Sequence, residues 1–169
     1  MHLQPGQTVV HPHHGPATVT GMSIRRVRGV PVAYADLRVG DLAVSVPVDR
    51  AEEIGIRSLA DADALTELAE ILTAPSGPAE HQWSRRIKAE REVLRTGDLQ
   101  RITGLVRDLL RRHDASPLGT AEKDLLKQAA SPLVAEVALS VGCDEDTALT
   151  VTRELALGRS VDVLSAIPA

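Results

Sequence analysis

Three groups of residues carry side chains suited to chemistry. His11, His13 and His14 surround Pro12, with His2 a little upstream. Imidazole is the commonest metal ligand, so a zinc or nickel site is conceivable. The spacing argues otherwise: adjacent His13 and His14 on an extended chain point apart, no Cys or acidic pair adjoins them, and Gly15-Pro16 marks a turn. A structural or surface turn is the favoured reading. Cys143, the single cysteine, precedes Asp144, Glu145 and Asp146. Acidic neighbours raise a thiol's pKa, the wrong direction for a nucleophile, so it reads as a small apolar residue at a helix boundary. The chain has no Gly-x-Ser-x-Gly elbow, no phosphate-cradling Gly-Lys-Ser/Thr loop and no His-Glu-x-x-His. The expectation is a protein that is not an enzyme and takes no cofactor or metal.

The third group is Trp83 with Arg85, Arg86 and Lys88. Trp83 is the only Trp in a chain with one Tyr and no Phe. Trp83, Ile87 and Leu94 fall at helical intervals, so the ring could be core. Its neighbours are polar, it follows a Pro/Gly-rich break, and the remaining core is aliphatic. An apolar wedge flanked by cations is what a protein needs to prop open a nucleic-acid step while holding the phosphates. Residues 79–112 hold 9 basic and 5 acidic residues, against 6 and 9 in 1–78 and 4 and 9 in 113–169. A local basic patch on a chain of net charge −4 would draw a polyanion to one place.

The elements that must position these residues differ between the two ends of the chain. At 169 residues and 43% hydrophobic, the chain fits one ordinary domain or two small ones. Thr8–His11, Ala17–Arg25, Val30–Arg38 and Leu42–Val46 read as short strands, with a last one near Ile54–Arg57. Leu42, Val44 and Val46 alternate with Ala43 and Ser45, which turns Ser45 to the other face. Gly29 and Gly40-Asp41 suit hairpin connections, and four or five such strands suggest a small barrel. From Asp61 the apolar spacing becomes helical, with Leu65, Leu68, Ile71 and Leu72 on one stripe. Residues 74–79, around Pro75 and Pro78, form a linker or loop. A second helix is predicted from about Glu80 to Arg95, and a third from Asp98 as N-cap, with Arg101, Arg107, Arg111 and Arg112 on its surface. Thr120 is the predicted cap of a fourth helix that Pro132 would kink or divide. Asp144 or Asp146 would start a last helix through Leu157. The fold class is α+β by domain, with boundaries at 1–58 and 59–169 and the tail 159–169 unassigned. The lone thiol, the absence of an apolar run of spanning length and the N-terminal sequence point to the cytosol.

With these segments in place, Thr8-Val-Val-His-Pro-His-His-Gly15 resembles the opening of CarD-like bacterial transcription regulators, where the fourth position is more often Tyr. Trp83-Ser-Arg-Arg-Ile-Lys88, Thr96-Gly-Asp98 and Val106-Arg-Asp-Leu-Leu-Arg-Arg112 resemble the helical half of that family. Gly119 through Lys123 and Leu133 through Leu139 extend the match, which covers about residues 3–157 in order and spacing.

The resemblance implies a Tudor-like, SH3-type barrel that binds the β subunit of RNA polymerase, a module shared with transcription-repair coupling factors. It implies a helical domain that meets promoter DNA, in the minor groove and on the backbone, at the upstream edge of the transcription bubble. Trp83 would then be a wedge, with Arg85, Arg86 and Lys88 on the phosphates. Arg25, Ser45 and Pro47 match the polymerase-contacting positions, and Leu42–Pro47 matches a strand that pairs with a polymerase strand. Ser45 and His11 depart from the family pattern: Ser45 stands where well-matched relatives carry Arg, as in a divergent paralogue. The free protein is expected to be a monomer that biases promoters toward the open complex. The competing reading is a protein-interaction module with weakened polymerase binding, its helical domain serving another partner.

Overall fold

The structure, a computed structural model, describes residues 2–78 and 80–159. The chain divides into two compact units, Met1–Leu59 and Ala60–Ala169.

The first unit is a curled four-stranded antiparallel sheet, a half-barrel of order β1-β2-β3-β4. The strands are β1 (Thr8–His11), β2 (Gly15–Val27), β3 (Val30–Val39) and β4 (Leu42–Pro47). Arg28 and Gly29, both at positive φ, make the tight turn from β2 to β3, a conformation that Gly accepts without strain. Period-two alternation sends Val9, Ala17, Val19, Ala35, Leu37 and Val46 inward, where they pack with Leu3, Ala51 and Ile56. The strand expected near Ile54–Arg57 does not form in full: a short helix, α1 (Ala51–Ile54), takes its first residue and ends on Gly55 at φ 97°. A single bridge, Val10 to Arg57, is all the pairing that segment contributes. The meander is therefore a half-barrel with β4 paired on one side only.

One irregularity decides which face functional residues occupy. The β2–β3 register shifts between Val19 and Gly21: Val19 pairs with Leu37, and Gly21 pairs with Asp36. The extra residue, Thr20, reaches across with its hydroxyl to the Asp36 carbonyl at 3.0 Å. A one-residue bulge reverses the alternation beyond it. Ala17 and Val19 point into the core, and after the bulge Gly21, Ser23 and Arg25 point out.

The second unit is helical: α2 (Ala62–Thr73), α3 (Trp83–Thr96), α4 (Leu99–Ala115), α5 (Thr120–Val141) and α6 (Glu145–Ala156). Among the described residues, none beyond Arg57 joins a sheet. Leu68, Leu72, Ile87, Val106, Leu109, Leu125, Leu133 and Ala156 form its core. Asp61, Asp98 and Asp144 cap α2, α4 and α6 by accepting from backbone N–H groups three residues on. At α5 the N-cap is Gly119 rather than Thr120, and Glu122 reaches back to the Gly119 N–H at 3.3 Å. α5 runs unbroken through Pro132. Packing against α3, α4 and α6 holds it helical despite the lost hydrogen bond. Residues 74–78 form an interhelix loop inside this unit, held by Ser76 to Asp108 at 2.7 Å and Arg111 to the Ala74 carbonyl at 2.8 Å. Within the tail 159–169, only Arg159 is among the described residues.

Candidate functional site

α3 opens at Trp83, three residues later than the sequence predicts. Glu80 folds back so that its carboxylate accepts the Gln82 N–H at 2.9 Å, which holds the chain outside the helix. Gln82, the N-cap residue, makes no side-chain cap bond. The first N–H groups of α3 are left without that cap, an arrangement that favours an anion. Trp83 is 54% exposed, while Ile87, one turn on, is in the core. The ring thus stands past the end of the buried stripe. Arg85 and Lys88 are exposed on the same helix, and Lys88 shares a groove with the ring.

Arg86 is placed differently from its neighbours. Its side chain is 19% exposed and pairs with Glu122 at 3.2 Å, while a second nitrogen donates to the Glu80 carbonyl at 3.1 Å. Glu122 in turn accepts from Arg112 at 2.7 Å, and Arg112 reaches Glu90 at 3.1 Å. The four side chains join α3, α4 and α5. Burial raises the Glu122 pKa, but hydrogen bonds from Arg112, Gly119 and Arg86 outweigh it and hold the carboxyl below its ordinary range. Two further α4 arginines expected on the surface are also structural. Arg107 donates to the Ile71 carbonyl at 3.0 Å, and Arg111 donates to the carbonyls of Ala156, Ala74 and Leu72.

Trp83 heads a shallow groove of about 350 Å³ lined by Ser84, Ile87, Lys88, Arg91, Glu92 and Arg95. Arg91 and Arg95 belong to this site and were missed in the sequence reading. They follow Trp83 and Ile87 at intervals of four, a signal visible once Trp83 is placed on a helix. Arg95 is bound by Glu92 at 2.8 Å, and both Arg95 and Arg91 are exposed.

On the sheet, the structure gathers Arg25, Ser45 and Pro47 onto one outward face. Asp36 pairs with Ser45, and Tyr34 with Pro47. The Arg25 guanidinium lies over the Tyr34 ring, 4.8 Å from its centre, and its Nη2 donates to Ser45 Oγ at 2.7 Å and Asp36 Oδ1 at 3.2 Å. The Ser45 hydroxyl donates to the same Asp36 oxygen. That bond, then Ser23 and the Arg25 charge, outweigh burial and hold the Asp36 carboxyl below its ordinary range.

His11, His13 and His14 cluster at the β1–β2 turn. His11 is buried at 8% exposure, with its ring centre 4.6 Å from that of His14 and 6.0 Å from that of His13. Its Nδ1 accepts the His13 N–H at 3.2 Å. Burial, then the charges of His14 and His13, lower its pKa from 6.5 to about 4. Among the described residues no group of His, Cys, Asp or Glu is arranged to hold a metal. None of the described helices is long and apolar enough to cross a membrane.

A half-barrel followed by a capped helical unit makes this a two-part α+β protein. The family model described as CarD, C-terminal domain, matches residues 67–159, and that described as CarD-like/TRCF RID domain matches residues 3–60. The chain belongs to the CarD-like family of transcription regulators, which is not a family of enzymes. It is also 25% identical over 145 residues, 85% of this chain and 95% of the relative, to the Bacillus subtilis (strain 168) protein named "Putative transcription factor YdeB".

Proposed function

We propose that this regulator binds the β subunit of RNA polymerase through its sheet and promoter DNA through α3, and that it stabilises the open promoter complex. The observation that carries the reading is the exposed Trp83 at the start of α3, with Lys88 and Arg91 exposed in the groove that it heads and Arg85 exposed on the same helix. An indole can replace the stacking lost where a duplex opens, while Lys and Arg hold the backbone without reading sequence. Arg86 supports that surface from behind, through Glu122, rather than meeting phosphate. On the first unit, β4 is paired on one side only, which suits addition of a partner strand, and β4 itself carries Ser45 and Pro47 of the Arg25–Ser45–Pro47 face. The effect would be thermodynamic and kinetic, without covalent chemistry. Decay of open complexes formed by purified polymerase, with and without this protein, is the test: a longer lifetime supports the proposal, and an unchanged one counts against it.

A second reading, a protein-interaction module with weak polymerase affinity, draws on Ser45. A serine offers no charge to an acidic partner, and here its hydroxyl is engaged within the sheet.

A further inference from the structure

The geometry around Arg25 points to a control on the polymerase contact: we propose that Asp36 is an internal competitor for the acidic group that Arg25 would bind on the partner. The inference rests on the reading of this face as the polymerase-binding one.

Arg25 is not idle in the free protein. Its Nη2 is engaged by Asp36 Oδ1 and Ser45 Oγ together. A guanidinium grips a carboxylate with two parallel donors, either Nη1 with Nη2 or Nε with Nη2. Nη2 belongs to both pairs. An incoming carboxylate must therefore share that nitrogen with Asp36, a group of like charge, or displace it. The arginine is held but reachable, since its side chain is 52% exposed and that of Asp36 is 35% exposed. Tyr34 supports the guanidinium from below, so release of Asp36 would leave the cation in place on the ring rather than loose in water.

Three strands cooperate in this arrangement. The bulge at Thr20 turns Arg25 outward on β2, Asp36 sits on β3, and Ser45 sits directly across from Asp36 on β4. Ser45 completes the lock by bonding to both charged partners. The serine thus does more than omit a charge: it helps hold the internal pair together.

The test is titration of purified RNA polymerase with the full chain and with Asp36→Asn, Arg25→Ala and the double variant, each first checked for an unchanged thermal melt. Asp36→Asn keeps the shape and removes the competing charge. An exposed ion pair is worth little, so the expected gain in affinity is about two- to fivefold, with steeper weakening by salt. In the Arg25→Ala background the same change should do nothing. If Arg25→Ala weakens binding but Asp36→Asn leaves it unchanged or weaker, the competition is wrong. An equal gain in both backgrounds would also overturn it, since that is general charge repulsion. If Arg25→Ala itself has no effect, this face is not the polymerase contact, a separate failure of the underlying reading.

Discussion

His11 shows how a single residue writes a pH dependence into the first unit. Its folded pKa of about 4 lies below the ordinary 6.5, so as pH falls the unfolded chain takes up a proton first. Its stability contribution is present above pH 6.5 and is lost as pH falls toward 4. The shift corresponds to about 1–3 kcal/mol for a group so buried. Urea unfolding at pH 7 and pH 4.5 should show that loss in the native chain and a smaller one in His11→Gln. Equal losses would contradict it. At the polymerase face, Arg25→Glu should weaken binding to the β subunit by about 1 kcal/mol or more if the contact is a hot spot. Ser45→Arg should tighten it, because the new cation lies across from Asp36 and can take over that pair. Residue identity was enough to nominate Trp83, whereas Arg25 and Ser45 were nominated by the family resemblance. It could not separate Arg86 from Arg85, since which of two adjacent arginines turns inward depends on Glu122, 36 residues further on.

Among the elements, the join of α3, α4 and α5 depends most on one side chain. Glu122 is 8% exposed at its side chain and accepts from Arg86, Arg112 and the Gly119 N–H. Glu122→Ala would leave Arg86 with an unpaired charge in a half-buried place. Breaking such a network costs about 3 kcal/mol or more, read as a lower denaturation midpoint of the helical unit. A loss under about 1 kcal/mol would show that the cluster is solvated and interchangeable. The same scale explains what the sequence made legible. Periods of two and 3.6, and aspartates before apolar stripes, are local signals, and the strands and most helices follow them. The bulge at Thr20 is a register event between strands, with no local mark that fixes it. α5 survives Pro132 because neighbouring helices supply the packing that the backbone lacks. The strand expected at Ile54–Arg57 shrinks to the Arg57 bridge, since α1 runs to Ile54 and Gly55 turns the chain at positive φ.

For the whole molecule, the charge pattern is narrower than the sequence suggests. Much of the positive run in 79–112 is consumed inside the helical unit by Arg86, Arg107, Arg111 and Arg112. The cations left at the surface near Trp83 are few, so the proposed DNA contact should have a shallow salt dependence. Lys88→Ala should weaken it evenly across promoters and lower the salt slope by about one counterion. A promoter-selective loss would mean that Lys88 reads bases. The central claim is that Trp83 acts on DNA and not on the fold. The most direct measurement is open-complex decay with purified polymerase, native chain against Trp83→Ala, beside thermal melts of both. The account predicts nearly equal melting and a lifetime shortened by about tenfold or more, as loss of a stacking contact worth ~1–3 kcal/mol requires. A sharp fall in melting temperature, or an unchanged lifetime, would contradict it.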